Sequence, residues 1–359
     1  MWPDRRLLEL LHIEHPIIQA PMAGVQDAEL VAAVSAAGGL GSLPCAMLSA
    51  EKIREEVAKI RARTRKPINL NFFCHAAPVP NNAREAEWRE RLAPYYKEFD
   101  IDPAAPVPFT NRAPFDAALL DVVLETKPEV VSFHFGLPPA PLYDKLKREG
   151  FIILSSATTV AEARWLAERG VDAIIAQGFE AGGHRGMFLT ENIFAQVGTL
   201  ALVPQIVDAV KVPVIATGGI ADARGIAAAF ALGASGVQIG SAYLRCPEAK
   251  VSAPHRAALT SARDDGTVLT NVLTGRPARS FITRIVREQG PISDVAPQFP
   301  LAAGALQPLR AKAEAQGSGD FSPLWSGQAV ALGREVGAGE LTQELAAEAQ
   351  RHLQNLAHA

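Results

Sequence analysis

Short apolar runs alternate along the chain with stretches of helical spacing, and the change from one to the other falls at small or polar residues. Residues 16–22, 40–46, 67–73, 130–135, 151–155, 173–177, 212–217 and 236–240 read as strands. Between most of them the helical stretches carry start and stop signals. Asp27 is placed to cap a helix with Leu30, Val31 and Val34 on one face, and Gly38-Gly39 ends it. Thr159 is placed in the same way before a helix over 160–169, which Gly170 stops. Strands apolar on both faces and alternating with helices predict a parallel sheet covered all round. Eight such units fit an α/β fold of the TIM (β/α)8 barrel class better than an open doubly wound sheet.

Two segments break the rhythm. Residues 76–114 hold seven prolines and the aromatics Trp88, Tyr95, Tyr96 and Phe99 between the third strand and its helix. An insertion there sits over the catalytic end of a barrel, so it is a candidate lid, with a plain surface excursion as the alternative. Past residue 290 the alternation fades, and Leu341, Leu345, Ala349, Leu353 and Leu356 mark one amphipathic helix that packs on the barrel. The expected division is a barrel of residues 1–75 and 115–290, an insertion of 76–114 and a C-terminal extension of 291–359.

Composition narrows the partners. A 359-residue chain that is 48% hydrophobic can fill a large core, which excludes general disorder. A formal charge of −3 with no long basic run argues against nucleic acid. The uncharged stretches 30–50 and 225–244 reach about the ~20 residues of a membrane span, but glycines and serines interrupt both, and no membrane partner is expected. The N-terminus mixes acid with base and does not read as a signal peptide. Cys45, Cys74 and Cys246 are too few and too scattered for a disulfide framework, so a cytoplasmic setting is expected.

In a barrel the reactive groups come from the C-terminal ends of the strands. Here those ends carry Gln19-Ala20-Pro21-Met22-Ala23-Gly24, Asn69-Leu70-Asn71, His134, Gln177, Thr217-Gly218-Gly219-Ile220 and Gln238-Ile239-Gly240-Ser241. Glycines at the last two ends let backbone N–H groups approach an anion, and these loops hold a phosphate in many barrels. The phosphate could be a substrate's or that of flavin mononucleotide (FMN); the loops alone do not choose. Asn71, Gln177 and Gln238 favour the flavin, because uncharged amides match the alternating carbonyls and nitrogens of an isoalloxazine ring. Pro21, Met22 and Ala23 offer it a small, polarisable edge.

His184 lies in Ala181-Gly182-Gly183-His184-Arg185-Gly186, at the barrel mouth. An imidazole with a reference pKa of about 6.5 can take a proton near neutrality, so His184 is the candidate general base. His134 reads as substrate-positioning and His75 as support for the insertion. No metal site is expected: the first strand ends in Gln-Ala-Pro-Met and not in a His-x-His pair.

These motifs carry a resemblance. Gln19-Ala-Pro-Met-Ala-Gly24, Ala176-Gln-Gly-Phe-Glu-Ala-Gly-Gly-His-Arg-Gly186, Thr217-Gly-Gly-Ile220, Gln238-Ile-Gly-Ser-Ala242 and Ser326-Gly-Gln-Ala329 make the chain similar to the class I nitronate monooxygenases. The resemblance implies non-covalent FMN and oxidation of alkyl nitronates, such as propionate 3-nitronate, by dioxygen to a carbonyl compound and nitrite. It matches His184 to the family's base, and Met22, Asn71, Gln177, Gly182, Gly219 and Gln238 to Ser241 (Ile239 and Gly240 included) to its flavin contacts. Gly183 and Gly218 flank those matches. The same motifs resemble FMN-dependent NAD(P)H:quinone and enoyl reductases, which give the alternative reading. A flavin-binding protein without turnover is a third.

Overall fold

The computed structural model describes residues 2–108 and 112–357. Eight parallel strands form the barrel: β1 (Ile17–Gln19), β2 (Gly41–Pro44), β3 (Ile68–Phe73), β4 (Val130–His134), β5 (Ile152–Ala157), β6 (Ala173–Gln177), then, past a two-residue strand β7 (Gly183–His184), β8 (Val214–Thr217) and β9 (Gly236–Ile239). Their order round the sheet is β1-β9-β8-β6-β5-β4-β3-β2. The ring closes between β1 and Leu40, where Gln19 donates its N–H to the Leu40 carbonyl at 2.9 Å and Leu40 donates to Ile17 at 3.0 Å. The eight predicted strands are these eight. Among the described residues no helix is long and apolar enough to cross a membrane.

The surrounding helices start where the caps predict. Asp27 accepts the N–H of Glu29 and Thr159 that of Glu162. Leu30, Val31 and Val34 are fully buried against the barrel. Inside the ring the side chains are partly polar, because residues two apart on a strand face the same way. Asn69 and Asn71 both turn inward from β3. Asn69 donates to Ser42 at 3.0 Å and to Ser132 at 2.8 Å, and Asn71 donates to Ser132 at 2.9 Å. This network forms a hydrogen-bonded floor beneath the barrel mouth.

A second sheet stands over that mouth. Strand β10 (Thr267–Thr270) pairs antiparallel with β11 (Ala278–Phe281), and β11 pairs with β7 in turn, Ala278 opposite His184 and Arg279 opposite Gly183. The glycine-rich segment around His184 is therefore an anchored strand, not an open loop.

The insertion builds a helix, Asn82–Glu98, whose Trp88, Leu92, Tyr95 and Tyr96 pack against the helix Ala302–Ala315. Trp88 Nε1 donates to the Ala302 carbonyl at 3.3 Å and the Tyr96 hydroxyl to that of Ala305 at 2.5 Å. Val272, Leu273, Ile285 and Val286, read from the sequence as part of the barrel, join this second core. Residues 109–111 of the candidate lid lie outside the described residues. The C-terminal helix Ala338–Ala357 buries Leu341, Leu345 and Ala349 on the barrel. Leu353 is only partly buried, and Leu356, 67% exposed, falls outside the stripe expected of it.

Candidate active site

One cleft opens at the C-terminal ends of the barrel strands. Counting its open mouth, it holds about 1310 Å³ of space. Pro21, Met22 and Ala23 line it from the end of β1, Asn71 from β3, and His134 from β4. Gln177, Gly182, Gly183 and His184 line it from the β6 side, Gly218 and Gly219 from β8, and Gln238, Gly240 and Ser241 from β9. Ile239 does not reach it. Its side chain is fully buried in the barrel core, and its carbonyl accepts the N–H of Ala20 at 2.8 Å.

At the β8 and β9 ends the chain presents backbone donors. Gly218 and Gly219 have φ of +108° and +71°, a conformation that L side chains rarely adopt. Among the described residues no acceptor meets the N–H groups of Gly219, Ile220, Ser241 or Ala242. A short 3₁₀ turn, Tyr243–Arg245, follows, the arrangement in which barrels commonly hold phosphate. The helix after β8 contributes less than its position suggests. Asp222 already caps it, accepting the N–H groups of Arg224 and Gly225, so its carboxylate competes with any other anion there. The segment Ser326-Gly-Gln-Ala329 closes this end, with Gly327 donating to Ser241 Oγ at 2.8 Å. A Cβ on Gly182 would stand 2.5 Å from the Gly327 nitrogen, which explains glycine at that position.

At the other end His184 is enclosed by rings. Phe299, Trp325 and Phe135 lie 5.1, 5.2 and 6.1 Å from it, centroid to centroid. Nε2 lies 2.9 Å from Thr274 Oγ1, and among the described residues Nδ1 has no hydrogen-bond partner. Burial pushes the His184 pKa well below its usual value. The nearby Arg112 is the next cause, and His134, Arg276 and His75 add to it. Arg112, on the cleft wall, and Arg276, stacked 4.0 Å over the Phe135 ring, make no salt bridge to a carboxylate among the described residues. The His184 end of the cleft is thus cationic, and its imidazole is neutral at neutral pH.

Two expected contacts are already committed within the protein. The Nε2 of His134 lies 3.1 Å from the His184 carbonyl, so it carries the proton and donates. Nδ1 then accepts from the Ser156 hydroxyl at 2.6 Å. Burial pushes the His134 pKa down to about 4, in keeping with this neutral ring. Both ring nitrogens of His134 are thus engaged within the protein, and the ring, which lines the cleft, holds the carbonyl of the His184 strand. Gln177 behaves alike: Oε1 accepts the Gly186 N–H at 2.7 Å and Nε2 donates to the His184 carbonyl at 3.0 Å. Its amide is spent mainly on the same strand, leaving at most one N–H for a ligand. Gln238 differs, because its Oε1 is buried without a partner.

Sequence reasoning missed Thr274, Arg276, Phe299 and Trp325, which reach the site from far along the chain. A signal for the first two was present. Thr267-Val-Leu-Thr and Ala278-Arg-Ser-Phe flank a turn with Gly275 and Pro277, a hairpin pattern in a stretch assigned wholesale to the barrel.

A family profile described as nitronate monooxygenase matches residues 4–348. The chain is 44% identical to a nitronate monooxygenase of Pseudomonas aeruginosa over 347 residues, covering 96% of this chain and 98% of the relative. Among solved structures it is similar to a nitroalkane oxidase from Streptomyces ansochromogenes, with a TM-score of 0.88 and 38% identity over 98% of this chain and 99% of that one. FabK from Thermotoga maritima aligns with a TM-score of 0.76 and 28% identity over 100% and 99%.

Proposed function

The chain belongs to the nitronate monooxygenase family and is an oxidoreductase, and from that premise we propose that it oxidises alkyl nitronates with dioxygen in an FMN-holding cleft, with His184 as the base for neutral nitroalkanes. The observation that carries the reading is a neutral His184 whose Nδ1 has no partner among the described residues, in the same cleft as β8- and β9-end amides that likewise meet no acceptor there. The residues present fit FMN. The amides of Gly219, Ile220, Ser241 and Ala242 would hold its phosphate. Gln238 Oε1, buried and unpartnered, would accept an N–H from the ring system, and Met22 and Asn71 would border it. When bound, FMN supplies the electron acceptor and, together with dioxygen, the oxidation that ends in a carbonyl compound and nitrite.

The protein's own part is placement and proton transfer. A nitroalkane α-carbon is acidic because the nitro group spreads the resulting charge over two oxygens. Neutral His184 removes that proton: the C–H bond breaks, its electron pair moves into the nitronate, and the proton goes to Nδ1. The imidazolium so formed, with Arg112 and Arg276 beside it, attracts the anionic nitronate. Phe299, Phe135 and Trp325 shield the transfer from water. A nitronate supplied as such needs no base and uses only the placement. Propionate 3-nitronate suits this setting, because its carboxylate adds a second anionic group to a cleft whose wall carries Arg112, which meets no carboxylate among the described residues.

The experiment is an absorption spectrum of the purified protein followed by oxygen-electrode assays with a nitronate and with NADH. The reading expects a flavin spectrum and nitronate-dependent oxygen uptake. Anaerobic bleaching by NADH without nitronate turnover would favour the reductase alternative.

A pH profile tests the electrostatics. With the His184 pKa held below its usual range, kcat/KM for a neutral nitroalkane stays level as pH falls through about 6.5 and declines only further down, where the base protonates. In Arg112→Met a cation that disfavours imidazolium is gone, so the acidic limb moves to higher pH. A limb that stays put in the variant would contradict this account of the depression.

A further inference from the structure

Among the described residues His184 carries one polar contact on its ring, and that contact decides which nitrogen works. Thr274 lies in the turn between β10 and β11 and is 1% exposed. Its hydroxyl is within hydrogen-bond distance of two groups, His184 Nε2 at 2.9 Å and the carbonyl of Arg276 at 3.4 Å. A carbonyl can only accept, and among the described residues no other donor meets that of Arg276. A hydroxyl has one hydrogen. Given to the Arg276 carbonyl, it leaves the Thr274 oxygen as an acceptor for Nε2–H. The neutral ring then has its lone pair on Nδ1, the nitrogen without a partner. Were the hydroxyl instead to donate to Nε2, the proton would sit on Nδ1, and the cleft would face a donor where the reaction needs a base.

We infer that Thr274 is a positioning residue that fixes His184 as its Nε2–H tautomer, so that Nδ1 is the atom that takes the nitroalkane proton. The inference rests on the reading of His184 as base. The rest of the site limits the alternatives. Antiparallel pairing with Ala278 fixes the His184 backbone, and its carbonyl is held by His134 and Gln177. Four aromatic rings restrict the imidazole, Phe73 joining the three already named. The strand and the rings set where the imidazole lies, and the Thr274 hydroxyl sets which nitrogen carries the proton. After proton transfer the ring has N–H on both sides, and Nε2–H keeps its acceptor, so Thr274 also supports the imidazolium.

The test joins a tautomer measurement with kinetics. In flavin-loaded wild-type protein labelled with ¹⁵N-histidine, the His184 signals, identified by their loss in His184→Asn, should show a protonated Nε2 and an unprotonated Nδ1 at neutral pH. Thr274→Val should lower kcat on a neutral nitroalkane by about tenfold, the size expected from one hydrogen bond, and lower oxidation of the matching nitronate far less. Thr274→Ser, which keeps the hydroxyl, should restore the nitroalkane rate. A protonated Nδ1 in the wild type would overturn the inference, as would an equal loss on both substrate forms in Thr274→Val, or no loss at all. Failure of the underlying reading looks different: His184→Asn would then lose both substrate forms equally while the wild-type tautomer remained Nε2–H.

Discussion

Replacing His184 with Asn should slow turnover of neutral nitroalkanes by about 10²–10⁴-fold, the usual worth of a general base, and affect preformed nitronates far less. Asn is close in size, so the ring cage of Phe299, Trp325 and Phe135 suffers little. What disappears is a basic ring nitrogen that lines the cleft and, among the described residues, has no hydrogen-bond partner. His134 cannot replace it, because its Nδ1 holds the Ser156 hydroxyl and its Nε2 the carbonyl of residue 184, which an Asn still provides. The measurement is oxygen uptake with each substrate form, the nitronate being prepared in base and added last. Equal losses would remove proton abstraction from the role of His184.

The second large effect concerns stability. Arg185 is fully buried, with no carboxylate within salt-bridge distance among the described residues. Its guanidinium donates to the carbonyls of Gly178 and Gln177 at 2.5 and 2.7 Å and to Gln196 Oε1 at 2.9 Å. Residues 177 and 178 start the segment that ends at Arg185, so the side chain ties that excursion shut behind His184. Burial pushes the Arg185 pKa down to about 9, because taking the cation out of water costs free energy. Arg185→Met removes three donated hydrogen bonds; the Gly178 carbonyl still accepts the N–H of Ala181 at 3.2 Å, and each acceptor left buried without a donor costs about 1–3 kcal/mol. The relief from no longer burying a charge offsets part of that loss. The net expectation is a loss of about 2–4 kcal/mol in a urea melt, with flavin lost at lower urea than in the wild type. Lys should not rescue, since a single ammonium cannot span three acceptors in fork geometry. An unchanged midpoint would contradict the account.

The ring of strands was readable because both faces of each are buried, which leaves an apolar run bounded by caps and glycines whatever the neighbours are. The strand ends followed from that, and with them Met22, Asn71, Gly219 and Ser241 at one cleft. Hydrogen-bond partners were not readable. Gln177 and His134 look like ligand-facing groups in one dimension, and only the return of the chain at residues 184–186 shows what they hold. Ile239 was swept in with its neighbours, although alternation along β9 turns it away from the mouth. The competition of the Asp222 carboxylate with an anion appears only once its cap is placed at the end of β8. Thr274 and Phe299 reach His184 through pairings about 90 residues or more apart in sequence, for which local periodicity carries no signal.

The most direct test of the central claim is a crystal structure of the protein as purified, or after incubation with FMN. The account predicts electron density for FMN, with its phosphate on the amides of the Gly218-Gly219 and Gly240-Ser241 turns and its ring system on the side of the cleft that His184 faces. A colourless protein that takes up no FMN, or a flavin bound with its phosphate at another strand end, would contradict it.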